Sequence, residues 1–276
     1  MTCSSLMVNL TLGQSNERLL DVAARVADRL GAGVIGVACC RPIEVVCHDY
    51  AVPAGLFEAD RKQAAREIRA AEQEFRLAMA NLKGWMEWRA RTTVLPLAQH
   101  LAGEARSADL IMVGLESGEP SLDATREADI RDLVMRVGRP VLLVPAPAPA
   151  SSFDHALVAW KDTREAQRAI VDALPFLAKA TKVTVVEIAA GHEAAETRGR
   201  LAEVVAWLAH HGVKAEAKVM APGKANAAQL DAVADELGAN LIVAGAYGYS
   251  RQNTWVLGGV TSELLAGGRR CALIAH

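Results

Sequence analysis

One segment occurs twice in this chain. Ala108-Asp-Leu-Ile-Met-Val-Gly114 and Ala239-Asn-Leu-Ile-Val-Ala-Gly245 match closely, and each is followed at the same distance by a second apolar run, Pro140-Val-Leu-Leu-Val-Pro145 and Cys271-Ala-Leu-Ile-Ala-His276. A repeat of this length makes each half one structural unit. Upstream, the second half reads as a strand at 155–160, a helix at 163–177, a strand at 182–188 and a strand at 213–220. The first half gives strands at 6–10, 33–40 and 85–94 with a helix at 16–30. Apolar strands alternating with helices predict a parallel sheet covered on both faces, because each parallel crossover needs a helix and runs right-handed. The expected fold class is therefore α/β: two open five-stranded parallel sheets with helices on both faces, Rossmann-like. Pro145-Ala-Pro-Ala-Pro-Ala-Ser-Ser152 reads as a semi-rigid joint, which places the domains at 1–147 and 152–276. The main difference between the halves is an irregular stretch from Arg41 to Gly55, followed by a long amphipathic helix over 57–82.

Composition removes several classes of function. With 51% hydrophobic and 22% charged residues the chain can pack a core, and a formal net charge of −2 gives no electrostatic footprint for nucleic acid or anionic lipid. No apolar stretch is long enough to span a bilayer, and the first residues lack a basic region followed by a hydrophobic core, so the expected compartment is the cytoplasm. Five cysteines (Cys3, Cys39, Cys40, Cys47 and Cys271) share no spacing and read as reduced, mostly buried thiols. Cys39, Cys40, Cys47 and His48 are discounted as a metal cluster, since adjacent residues at a strand end point to opposite faces. His210-His211, just before Gly212, reads as a helix-terminal cap. No catalytic or metal-binding set emerges from local motifs.

The strand at 241–244 runs into Gly245-Ala-Tyr-Gly248, and nine residues later comes Gly258-Gly259-Val260-Thr261. Glycines behind a strand let backbone N–H groups approach an anion, and a following helix N-terminus adds unpaired donors. Ligands of open α/β sheets bind beyond the carboxyl ends of the strands where the strand order reverses. Gly245 ends the fourth strand of its repeat and Ala159-Trp160-Lys161 ends the first, so these flank that point. The main-chain groups of Ala159 and Trp160, with Ile188 from the second strand, are placed to face a purine edge. The N–H groups of Gly258, Gly259 and Val260 and the Thr261 hydroxyl are placed to meet phosphates. The motif lacks the lysine of a Walker A loop, and its glycines follow a late strand, unlike those of the dinucleotide fingerprint. The competing reading is that the glycines serve turns and helix packing alone.

Glycine, two residues, glycine, nine residues, glycine resembles the ATP-binding signature of the universal stress protein family, and Gly245, Gly248 and Gly258 match it. The strand-to-helix entry at 158–163 and the helix entry at 260–263 extend the resemblance, and both halves are similar to the family's domain. The resemblance implies strand order 3-2-1-4-5, adenine-nucleotide binding (ATP or AMP, with magnesium compatible with ATP), and pairing of domains through the last strand. For this chain that means an intramolecular pseudo-dimer, with a homodimer and an unidentified protein partner compatible with it. Two positions depart from the family. Gly259 replaces its Ser or Thr, and Lys161 replaces the acidic residue directed at the ribose; a lysine cannot accept from a sugar hydroxyl.

In the first half the corresponding positions are Ser117, Glu127, Ala128, Asp129 and Ile130, among the carboxylates Glu116, Glu119, Asp123, Glu127 and Asp129. Like-charge repulsion there predicts that only the second domain takes a nucleotide. The expectation is a stress-response binding protein. A weak ATPase or nucleotidyl-transfer enzyme using the same cleft and a nucleotide-free interaction scaffold are the alternatives.

Overall fold

The first strand, β1 (Ser5–Leu10), lies between β2 (Gly33–Cys40) and β4 (Leu110–Leu115), parallel to both. With β3 (Met86–Thr92) beyond β2 and β5 (Val141–Pro145) beyond β4, the first sheet has the order β3-β2-β1-β4-β5. The fold is given by a computed structural model that describes residues 3–43, 54–115, 123–146, 152–223, 226–246, 248–249, 255–256, 264–265 and 268–276. The chain divides into two compact units, Cys3–Pro147 and Ala148–His276. The expected joint at 145–152 falls largely outside the described residues.

In the first unit every residue of β2 is buried, as the interior of a parallel sheet covered on both faces requires. Helix α1 (Glu17–Leu30) turns its Leu19, Leu20, Val22, Ala23, Val26 and Ala27 to the core and ends on Gly31, whose φ of 71° supplies the left-handed cap. The long helix expected at 57–82 is α2 (Ala54–Ala78). It stops earlier than its apolar pattern suggested because the chain leaves it in tight turns, Ala80 N–H donating to Leu77 and Leu82 N–H to Met79. Phe75 of α2 packs on Trp88 of β3 with ring centroids 5.5 Å apart. Both rings sit over Gly36, where a Cβ would come within 2.8 Å of Phe75. The edge strand β3 is shorter than the expected 85–94. It is largely exposed and carries Glu87, Arg89 and Arg91, a composition that discourages edge-to-edge pairing. Helices α3 (Leu97–Glu104) and α4 (Ile130–Arg136) complete the unit, the latter capped by Asp129.

The second unit repeats the plan. Strands β6 (His155–Ala159), β7 (Lys182–Ile188), β8 (Ala215–Met220), β9 (Leu241–Gly245) and β12 (Cys271–Ala275) form the sheet β8-β7-β6-β9-β12, and each registered pair is parallel. Each sheet therefore has the order 3-2-1-4-5 counted along its own half, as expected. Helix α5 (Arg164–Leu177) starts at Thr163, whose Oγ1 accepts from Ala166 N–H at 3.3 Å. Helix α6 (Ala194–His210) ends where His211 Nδ1 meets the Trp207 carbonyl at 3.0 Å, a terminal-carbonyl contact made by one residue of the histidine pair. Helix α7 (Asn226–Leu237) is tied to the start of β12 by Arg270, which is buried, contacts Asp231 at 2.8 Å and Asp235, and donates from Nε to the Ala239 carbonyl. Between β9 and β12 the short strands β10 (Gly248–Tyr249) and β11 (Trp255–Val256) pair antiparallel. No described helix is long and apolar enough to cross a membrane.

The four described cysteines (Cys3, Cys39, Cys40 and Cys271) are buried. Burial pushes the Cys3 and Cys39 thiols up to about 12, with Asp109 acting in the same direction at Cys3, and Cys40 and Glu104 at Cys39. Such thiols are poor nucleophiles and poor metal ligands. Cys47 and His48 lie outside the described residues.

Candidate functional site

Three strands of the second unit end side by side at the point where strand order reverses. Ala159 of β6 is in register with Val186 of β7 on one side and with Ala244 of β9 on the other. The ends of β6, β7 and β9 thereby bring together Ala159, Trp160, Lys161, Ile188 and Gly245. Trp160 continues the ladder, its N–H donating to the Val186 carbonyl at 2.8 Å. Lys161 is exposed, and its carbonyl accepts from Thr163 N–H in the turn into α5. Gly248 lies in β10 opposite Val256 of β11. Gly258, Gly259, Val260 and Thr261, the expected phosphate cradle, lie outside the described residues.

The structure supplies a packing reason for Gly245. A Cβ there would stand 2.6 Å from the Ala166 nitrogen and 2.7 Å from the Glu165 carbonyl carbon, so the first turn of α5 can close on β9 only over a glycine. Along a strand side chains alternate between faces. Trp160, Glu187 and Gly245 each stand one residue beyond the in-register set Ala159, Val186 and Ala244, and so they share the face covered by α5. Trp160 accordingly offers main chain to the strand ends while its indole is buried at 9% exposure.

Glu187 and Arg200 were not singled out from the sequence. Glu187 is 7% exposed, and Arg200 of α6 reaches its Oε1 at 3.3 Å while also holding Glu196 and Thr197. Burial pushes the Glu187 carboxyl up; Arg200 opposes this, while Asp162 and Glu193 add to it. The only sequence signal was an acidic residue next to the end of a mostly apolar strand.

At the matching end of the first sheet the cleft is occupied by the chain itself. Arg126, one residue before the counterpart of Gly258, donates from Nη2 to Asp60 at 2.6 Å and from Nε to Glu67 at 2.7 Å, both on α2. Its side chain is 9% exposed and those of the carboxylates 15% and 13%. Glu127 accepts from Gln14, just past β1, at 2.9 Å, and the Thr125 carbonyl accepts from Arg41 N–H, just past β2, at 2.8 Å. Segment 123–127 is thus laid over the ends of β1 and β2. The sequence had suggested closure by repulsion alone. Of the five carboxylates invoked, Glu116 and Glu119 lie outside the described residues. Asp123 accepts from Thr125, and Asp129 caps α4. Among the described residues no group of three or more His, Cys, Asp or Glu side chains is arranged to hold a metal ion.

Comparison with known proteins returns this fold. A universal stress protein from Archaeoglobus fulgidus DSM 4304 superposes with a TM-score of 0.71 at 13% identity, covering 100% of this chain and 99% of that one. A universal stress protein assignment described as putative, from Pseudomonas aeruginosa UCBPP-PA14, gives 0.61 at 15% identity over 99% and 93% of the two chains. A functionally unknown protein from P. aeruginosa PAO1 gives 0.59 at 15% identity over 99% and 92%. No family model matches the sequence, and no curated protein matches it. The chain therefore has a universal stress protein-like α/β fold, at identities where likeness extends to architecture alone.

Proposed function

We propose that the second domain, residues 152–276, binds an adenine nucleotide, ATP or AMP, and that the chain acts as a cytoplasmic stress-response sensor of the universal stress protein kind. The observation that carries this reading is the convergence of Ala159, Trp160, Ile188 and Gly245 at adjoining strand ends beside the reversal of strand order, where α/β sheets hold their ligands. The purine meets main-chain groups of Ala159 and Trp160 and the side of Ile188. The phosphates meet Gly258, Gly259, Val260 and Thr261, with the Lys161 ammonium free to swing toward them. The first domain, residues 1–147, takes no nucleotide, because Arg126, Asp60 and Glu67 fill the matching position.

A nucleotide-free scaffold is the second reading. It is favoured by Gly245, whose lack of a side chain is already required by α5, and by Lys161, which cannot accept from a ribose hydroxyl. The experiment that separates them is mass spectrometry of small molecules that co-purify, followed by calorimetric titration with ATP, ADP and AMP of wild type and Gly248→Glu. Uptake by wild type and loss in the variant is expected. A wild type that takes up no nucleotide sinks the proposal in favour of the scaffold, and turnover that disappears in the variant would make the protein an enzyme.

A further inference from the structure

Buried polar atoms without a hydrogen-bond partner are rare in folded proteins, and each calls for a physical explanation. Three of them belong to side chains on adjoining elements of the second unit: Glu187 Oε2, Arg200 Nε and Trp160 Nε1. Glu187 and Arg200 are already in contact through Oε1 and Nη2 at 3.3 Å. Trp160 stands beside Glu187 because the two follow the registered pair Ala159 and Val186 on adjacent strands and share a face. Neighbouring strands are about 4.8 Å apart, so the indole and the carboxylate start as nearest neighbours. Trp160 and Glu187 are each more than nine-tenths buried, at 9% and 7% exposure. Both are hydrogen-bonding groups that are costly to leave unpaired away from water.

The set is chemically complementary. An indole N–H and a guanidinium Nε–H are donors only, and a carboxylate oxygen is an acceptor. One species satisfies all three at once if it accepts two hydrogen bonds and donates one. Each of the three atoms is itself buried, which favours the smallest such species, and about three hydrogen bonds is the usual coordination of a buried water. We propose that Trp160 Nε1, Arg200 Nε and Glu187 Oε2 form a binding site for a single internal water molecule on the helix-covered side of the sheet. That water accepts from Trp160 and Arg200, donates to Glu187, and fastens the ends of β6 and β7 to α6. The site uses the Trp160 side chain, whereas the nucleotide reading uses its main chain and Ile188, whose side chain points to the face opposite Glu187.

The test is a crystal structure of the full chain at 1.5 Å or better, refined with no solvent placed near these residues. A discrete density peak within hydrogen-bonding distance of all three atoms is expected. A site that is empty, or closed by direct bonds among the three side chains, overturns the proposal. In solution, oxygen-17 relaxation dispersion on wild type and Trp160→Phe should show one fewer long-lived water in the variant, which keeps the ring and loses the donor. An unchanged count in a variant whose circular dichroism is native also overturns it. If Trp160→Phe does not fold, the wild-type crystal structure decides alone.

Discussion

Replacing Arg126 by methionine leaves the packing volume of the first unit nearly unchanged and strips two carboxylates of their cation. Asp60 and Glu67 lie on the same helix, 15% and 13% exposed, and each meets the guanidinium at 2.6 to 2.7 Å. Exposed ion pairs contribute about 0–1 kcal/mol. Removing one partner of a buried pair costs about 3–5 kcal/mol, because an uncompensated charge stays behind. Here one cation serves two carboxylates, which would be left facing each other, while their residual exposure lets water offset part of the loss. We therefore expect Arg126→Met to lower the unfolding free energy of the first unit by about 3 kcal/mol. The variant Asp60→Asn/Glu67→Gln/Arg126→Met should recover most of that, since it removes the stranded charges as well. Urea unfolding of the three proteins, followed by circular dichroism, measures both quantities. A loss below about 1 kcal/mol in the single variant, the range of exposed pairs, or a triple variant no more stable than the single, would refute the argument that a buried ion triad closes this end of the sheet.

Gly245→Ala should destabilise the second unit by about 1–3 kcal/mol through overpacking against the first turn of α5, and should loosen hydrogen exchange in that turn, with no ligand involved. Unchanged stability would mean that α5 gives way without cost. Asp109 Oδ2 accepts from the N–H and hydroxyl groups of Ser4 and Ser5 at 2.9 to 3.1 Å. Partial burial works in the opposite direction, but these four bonds hold the carboxyl below its ordinary value. A depressed folded value contributes stability above the unfolded value, near 3.9, that is lost as pH falls through the folded one. Asp109→Asn should therefore flatten the dependence of melting temperature on pH from about pH 4 downward. An acid limb identical to that of wild type would exclude Asp109 as its source.

Legibility in the sequence followed burial. Strand β2 has the bounds that its apolar run predicts, because a strand buried on both faces is written as a continuous hydrophobic run. The edge strand β3 comes out shorter than expected, since a largely exposed strand is held by less burial and its ends carry little signal. The helix starts expected at 16 and 163 fall at the observed N-cap positions Asn16 and Thr163, of which Thr163 caps with its side chain and Asn16 does not. The ion triad was not, because Arg126 lies 59 and 66 residues from its partners. No local pattern links charges that far apart.

By itself the sequence determined that there are two α/β units of one plan, which strand ends must adjoin, and that the glycine motif survives in only one of them. The units and the surviving motif come from local periodicity and repetition, which are properties of a linear string, and the strand order comes from the family resemblance that the motif carries. Tertiary structure decided what stands at each strand end. Helix α5 accounts for Gly245 by packing, the indole of Trp160 is turned beneath the sheet beside Glu187, and an arginine with two helix carboxylates fills the position in the first half that the motif vacated. Each of these depends on groups that folding brings within a few ångströms, where close contact and desolvation set the energies.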